Sequence, residues 1–226
     1  MRSARVSLVP AVALCALVAW ALFAPGCAKP RAAAALSGAD SARILSETLA
    51  HRAAADAFFR SDPASPFQND PSAHFDGIKW FPPDVGWYFR VPLRRYPSPV
   101  PVTVFGTKGE ARRQVRYGYF LFDAEGKEVR LNVYKADPAD AEDRERYGNA
   151  LSVWFTDETT GKETYEVGRY LDIGEEQADP GALYALNFNN AYNPYCSYSA
   201  RYSCAIPTKE DHLNVEVRAG ERRYHP

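Results

Sequence analysis

Val115-Arg116-Tyr117-Gly118-Tyr119-Phe120-Leu121-Phe122, then Asp123-Ala124-Glu125-Gly126, then Val129-Arg130-Leu131-Asn132-Val133-Tyr134 is the stretch whose reading decides the fold. Its first and last segments are rich in aromatic and β-branched residues, which suit a pleated, half-buried surface. In the last one, Val129, Leu131 and Val133 point one way and Arg130, Asn132 and Tyr134 the other. Asp123 to Gly126 reads as a turn, so the stretch predicts an antiparallel hairpin.

Working outward, Val100 to Phe105 reads as a strand before the hairpin. Leu151 to Phe155 and Thr164 to Leu171 form a second pair around the turn Thr159-Thr160-Gly161-Lys162. Ala182 to Phe188 and Asn214 to Ala219 complete the set, while the charged residues 137 to 148 suit a surface helix or a loop. Short turns make antiparallel neighbours the simplest solution. The expected fold is mainly β, an antiparallel meander forming a small barrel or sandwich, preceded by one N-terminal α-helix. That helix spans 40 to 60, capped by Asp40 or Ser41 and stopped by Asp62-Pro63. Leu45, Leu49, Ala53 and Ala57 would form its apolar face.

The start of the chain has a different character. Arg2 and Arg5 precede an apolar run from Val6 to Phe23, which ends in Ala24-Pro25-Gly26-Cys27. A charged start, an apolar stretch and small residues before a cut mark a secretory signal. With a cysteine directly after them, the segment resembles the lipobox of bacterial lipoproteins, which implies a diacylglycerol on Cys27. A transmembrane anchor and a plain cleaved signal are the alternatives. The expected organisation is a leader over 1–26, a tether over 27–39 and one domain over 40–226. Of 27 basic residues two lie in the leader, leaving 25 against 28 acidic ones and a charge of −3. A nucleic-acid partner is therefore not expected.

The C-terminal half carries Gly168-Arg169-Tyr170-Leu171-Asp172, Asn187-Phe188-Asn189-Asn190-Ala191-Tyr192-Asn193-Pro194, Cys196 and Cys204-Ala205-Ile206-Pro207. Earlier come Arg60-Ser61-Asp62, Phe75-Asp76-Gly77-Ile78 and Phe81-Pro82, and at the end Arg218-Ala219-Gly220-Glu221. From about residue 50 to 224 the chain resembles the DUF1684 family of bacteria and archaea, whose function is unknown. The resemblance also implies departures: Asn187 stands where Asp is common, Ala205 where Pro is common and Asp211 where Asn is common. A catalytic carboxylate at 187 is thus absent here.

Several residues could carry chemistry. Cys196 and Cys204 flank a Tyr-rich loop, and in an oxidising compartment a disulfide is expected, with free thiols or a metal pair as alternatives. Their spacing and the lack of a second Cys or His pair argue against metal, and no cofactor motif is present. His74 with Asp76, and His212 with Asp211, could pair as base and orienter. Glu163, Tyr165, Val167, Arg169 and Leu171 would share one strand face, making Glu163 the easier partner for a buried Arg169, with Asp172 opposite. Asn187, Asn189 and Asn193 suit either a structural loop or a binding loop. Glu163, Arg169, Asp172, Asn187, Asn189 and Asn193 form the candidate ligand site. The functional expectation is a lipid-anchored envelope protein that binds a small ligand or acts as a scaffold, outer-membrane if the cell is Gram-negative. The alternative is a hydrolase using the same cluster.

Overall fold

The computed structural model describes residues 36–68, 70, 72–137, 145 and 149–225. The leader, Cys27 and most of the tether lie outside the described residues, as does nearly all of the charged 137–148 segment. No helix among the described residues is long and apolar enough to cross a membrane.

The first element is α1 (Gly38–Ser61), and Ser37 caps it by accepting from the Asp40 N–H, one turn earlier than expected. Asp62 closes it as foreseen, its N–H donating to the Phe58 carbonyl. The buried face carries Ile44, Thr48, Arg52 and Phe59, whereas Leu49 is 56% exposed. The expected Leu45–Ala57 stripe is thus rotated off the core. The helix docks through hydrogen bonds, Arg52 donating to the carbonyls of Phe81 and Asn189, and counting apolar residues does not reveal such a contact.

Among the described residues eight strands follow: β1 (Tyr88–Pro92), β2 (Arg94–Phe105), β3 (Ala111–Ala124), β4 (Lys127–Ala136), β5 (Trp154–Asp157), β6 (Arg169–Tyr170), β7 (Leu183–Asn187) and β8 (His212–Leu213). They make three small sheets, β1-β7, β2-β3-β4 and β6-β5-β8. All pairs are antiparallel except β5 with β8. The fold is therefore mainly β and sandwich-like, and the described strands do not close into a barrel. In the β3–β4 hairpin Ala124 opposes Lys127, with Glu125 and Gly126 both at positive φ (54° and 74°), the two-residue turn that matches strand twist.

The main core lies between the sheets, where Phe188 meets Trp87, Phe89, Phe122 and Phe155. A second aromatic cluster, Phe59, Phe67, Tyr198 and Tyr224, fastens the end of α1 to the C-terminus.

Two expected strands take another form. Thr164 to Leu171 keeps only Arg169–Tyr170 as strand, because Gly168 (φ +112°) passes the Phe155 carbonyl so closely that a Cβ would sit at 2.6 Å. Asn214 to Ala219 alternates in burial, with Val215, Val217 and Ala219 inward, yet joins no ladder.

Candidate functional site

Arg169 explains how Val217, Ala219 and Glu221 can lie buried outside the named strands. Backbone carbonyls in extended chain face the same side every second residue. The Arg169 guanidinium meets three of them, Val217 (2.8 Å), Ala219 and Glu221 (3.2 Å). Its Nη2 also donates to the Asp157 carboxylate at 2.8 Å, and both side chains are sealed from solvent. Asp157 is held in turn by the N–H and hydroxyl of Thr159. The planar, multi-donor guanidinium stands in for a strand edge. Burial lowers the Arg169 pKa, and the charge of Asp157 works against that shift.

The expected partner Glu163 is elsewhere: it pairs with Arg218 at 3.0 Å on the surface. The turn through Gly168 breaks the two-residue period that would have put Glu163 beside Arg169. His212 likewise misses Asp211. It touches Thr156 Oγ1 (3.1 Å) and Glu158 (3.3 Å), while Asp211 is buried and accepts from Asn132 and the Tyr134 hydroxyl. His74 does meet Asp76 at 2.9 Å, but both are widely exposed.

The asparagines hold backbone. Asn187 accepts from Asn189 and donates to Thr48 Oγ1 at 3.1 Å. Asn189, fully buried, pairs its amide with the N–H and carbonyl of Asp84, both at 2.8 Å. Asn193 donates to the Arg222 carbonyl, and its own N–H donates to Glu221 Oε2 at 2.9 Å.

Glu221 is a residue that sequence reading passed over. Gly220 (φ +80°) presses the chain onto Ala191, where a Cβ would lie 2.5 Å from the carbonyl, and this carries Glu221 inside. There it is 1% exposed and accepts from the Asn193 N–H and the Tyr198 hydroxyl. Burial pushes its pKa up to about 7, against the lowering effect of those hydrogen bonds and of Arg169 and Arg52.

Above Glu221 opens a cleft of about 600 Å³, between α1 and the segments around Trp80, β6 and residues 192–204. Its walls carry Phe58, Phe59, Trp80, Tyr170, Tyr192, Tyr195 and Tyr202, with His51, Asp172 and Glu221 as the ionisable carboxyl and imidazole groups. Of the candidate ligand-site residues only Asp172 lines it. Asp172 Oδ1 accepts from the Tyr192 hydroxyl at 2.9 Å. Tyr170, Asp172, Tyr192, Ser203 and Cys204 also border a second hollow of about 840 Å³ that reaches Arg112 and Trp154. Glu163, Arg169, Asn187, Asn189 and Asn193 line neither of these two cavities.

Cys196 and Cys204 sit side by side as half-buried thiols, the Cys196 N–H donating to Cys204 Sγ at 3.3 Å. The hydrogen bond from Cys204 brings the Cys196 thiol down to about 6, and the same contact raises Cys204. The disulfide is not formed in this structure.

Residues 73–222 match the family model described as "Protein of unknown function (DUF1684)". The chain belongs to the DUF1684 family. The family match begins after α1. A similar solved structure is the solution NMR structure of an uncharacterized protein of Haloarcula marismortui. It is 28% identical, with a TM-score of 0.59, over 82% of this chain and 97% of that one. None of the curated proteins matches.

Proposed function

We propose that this DUF1684 protein is a small-ligand-binding protein held at the cell envelope by a lipid on Cys27, with the α1–Trp80–Tyr192 cleft as its binding site. The observation that supports binding is the cleft itself: about 600 Å³, lined mostly by rings and holding a few convergent polar groups. That size and lining suit a molecule of metabolite scale. The lipobox-like Ala24-Pro25-Gly26-Cys27 supports the anchor.

Ligand-detected NMR on the full chain, against a library of amines, carboxylates, sugars and neutral aromatics, tests the binding reading. The control is Ala54→Trp, which fills the cleft from the exposed side of α1. At least one class should bind the native chain and lose its signal with the variant. If no class does so, the binding reading falls. For the anchor, Cys27→Ser should move the protein from the membrane fraction to the soluble one, and retention in the membrane would point to a spanning leader instead.

A further inference from the structure

The charge of the cleft narrows the ligand. Asp172 is exposed, and its described hydrogen bond comes from a neutral phenol, Tyr192. No described Lys, Arg or His lies within ion-pair distance of it. Among the described residues no Lys or Arg lines the cleft. Arg52 lies over the Trp80 ring at 4.7 Å and gives its Nη groups to the carbonyls of Phe81 and Asn189. In the adjoining hollow, Arg112 is bound to Glu110 and Arg113 to Asp137. His51 has its pKa lowered by partial desolvation, despite the pull of Asp172, so it is uncharged at neutral pH.

The rings complete the picture. Tyr170 and Tyr192 meet edge to face at 5.9 Å, and Tyr195 and Tyr202 do so at 5.3 Å. Burial raises the phenol pKa of Tyr170 and of Tyr192, so these rings stay neutral and keep the negative potential of their faces. Aromatic faces beside an uncompensated carboxylate favour a cation that is weakly hydrated and bulky. A carboxylate or phosphate ligand would meet Asp172, while the Nη groups of Arg52, the cation over Trp80, are already given to carbonyls.

Resting on the binding reading, we propose that the cleft takes an organic cation, an alkyl- or quaternary ammonium group seated among Tyr170, Tyr192 and Trp80 and facing Asp172. The ammonium could belong to a free amine or to a lipid headgroup, since both present the same chemistry.

The test is isothermal titration calorimetry on the full chain in dodecyl maltoside, a detergent without charge. Choline is compared with 3,3-dimethylbutan-1-ol, its uncharged carbon isostere. Choline should bind about tenfold more tightly, as expected for a ring-plus-carboxylate site. Asp172→Asn should erase most of that preference, and Ala54→Trp should abolish binding of both. Asp172 lies at the surface and Ala54 on the exposed side of α1, so both variants should fold. Glycerophosphocholine separates the two sources: tighter binding than choline indicates a headgroup, weaker binding a free amine. If both isosteres bind equally, or the alcohol binds better, the cation assignment is overturned and the binding reading stands. If neither binds while the NMR library yields a carboxylate or sugar, the assignment falls alone. If nothing binds in either experiment, both fall.

Discussion

Arg169 and Asp172 stand three residues apart, yet the two charges live under opposite conditions. Arg169 is 1% exposed, pairs with Asp157 and satisfies three backbone carbonyls. Asp172 is exposed and holds one tyrosine hydroxyl, on the wall of a cavity. A buried charge whose Nη groups are all taken up by the fold, and whose Nε is sealed from solvent, has nothing within reach of a ligand. A carboxylate without a counter-ion, beside open space, does. The two share one neighbourhood in sequence, and burial and the number of partners separate them.

Arg169→Ala should have the largest effect. It strands the Asp157 carboxylate and exposed-to-nothing carbonyls at 217, 219 and 221, so urea unfolding should show a loss of about 3–5 kcal/mol. A loss under about 1 kcal/mol would remove Arg169 from the architecture.

Glu221→Gln comes next. The folded-state pKa of about 7 lies above the usual 4.5, so the folded protein holds this proton more tightly than the unfolded chain. Native stability should therefore fall as pH rises from about 4.5 to about 7, by roughly 3 kcal/mol from this group, and level off above that. The difference in unfolding free energy between variant and native protein, followed from pH 4 to 8, should shift in favour of the variant over that window. A constant difference would mean that Glu221 has the same pKa folded and unfolded.

Oxidation sharpens the contrast on the cleft side. We propose that outside the cytoplasm Cys196 and Cys204 form a disulfide, visible as an intact mass about two daltons lower than the reduced chain. In the chain-entropy account, closing so short a loop stabilises by about 2.5 kcal/mol. A full reduced mass in protein taken from its own envelope would count against it.

Asp172→Asn should have the smallest effect on stability, under about 0.5 kcal/mol by thermal unfolding, because the residue is exposed and an amide oxygen can still accept from Tyr192. A larger loss would place Asp172 in the same class as Arg169.

The hairpin of β3 and β4 was legible because its alternation and its Glu125-Gly126 turn are local signals. Asp62-Pro63 marked the end of α1 for the same reason. Legibility failed where a side chain took over a backbone role. Nothing in Asn214 to Ala219 says that its ladder partner is a guanidinium from position 169. The cleft failed differently, since His51, Trp80, Asp172 and Tyr202 are scattered along the chain.

By itself the sequence determined the mainly β class, the leading helix, the family and the turn-bounded strands, because period, caps and turn residues act over a few positions. The tertiary structure alone decided which charges are enclosed and which face a cavity. Burial, counter-charge and open volume arise from segments up to 150 residues apart, as when the Tyr224 hydroxyl reaches the His74 carbonyl, and no local pattern encodes them.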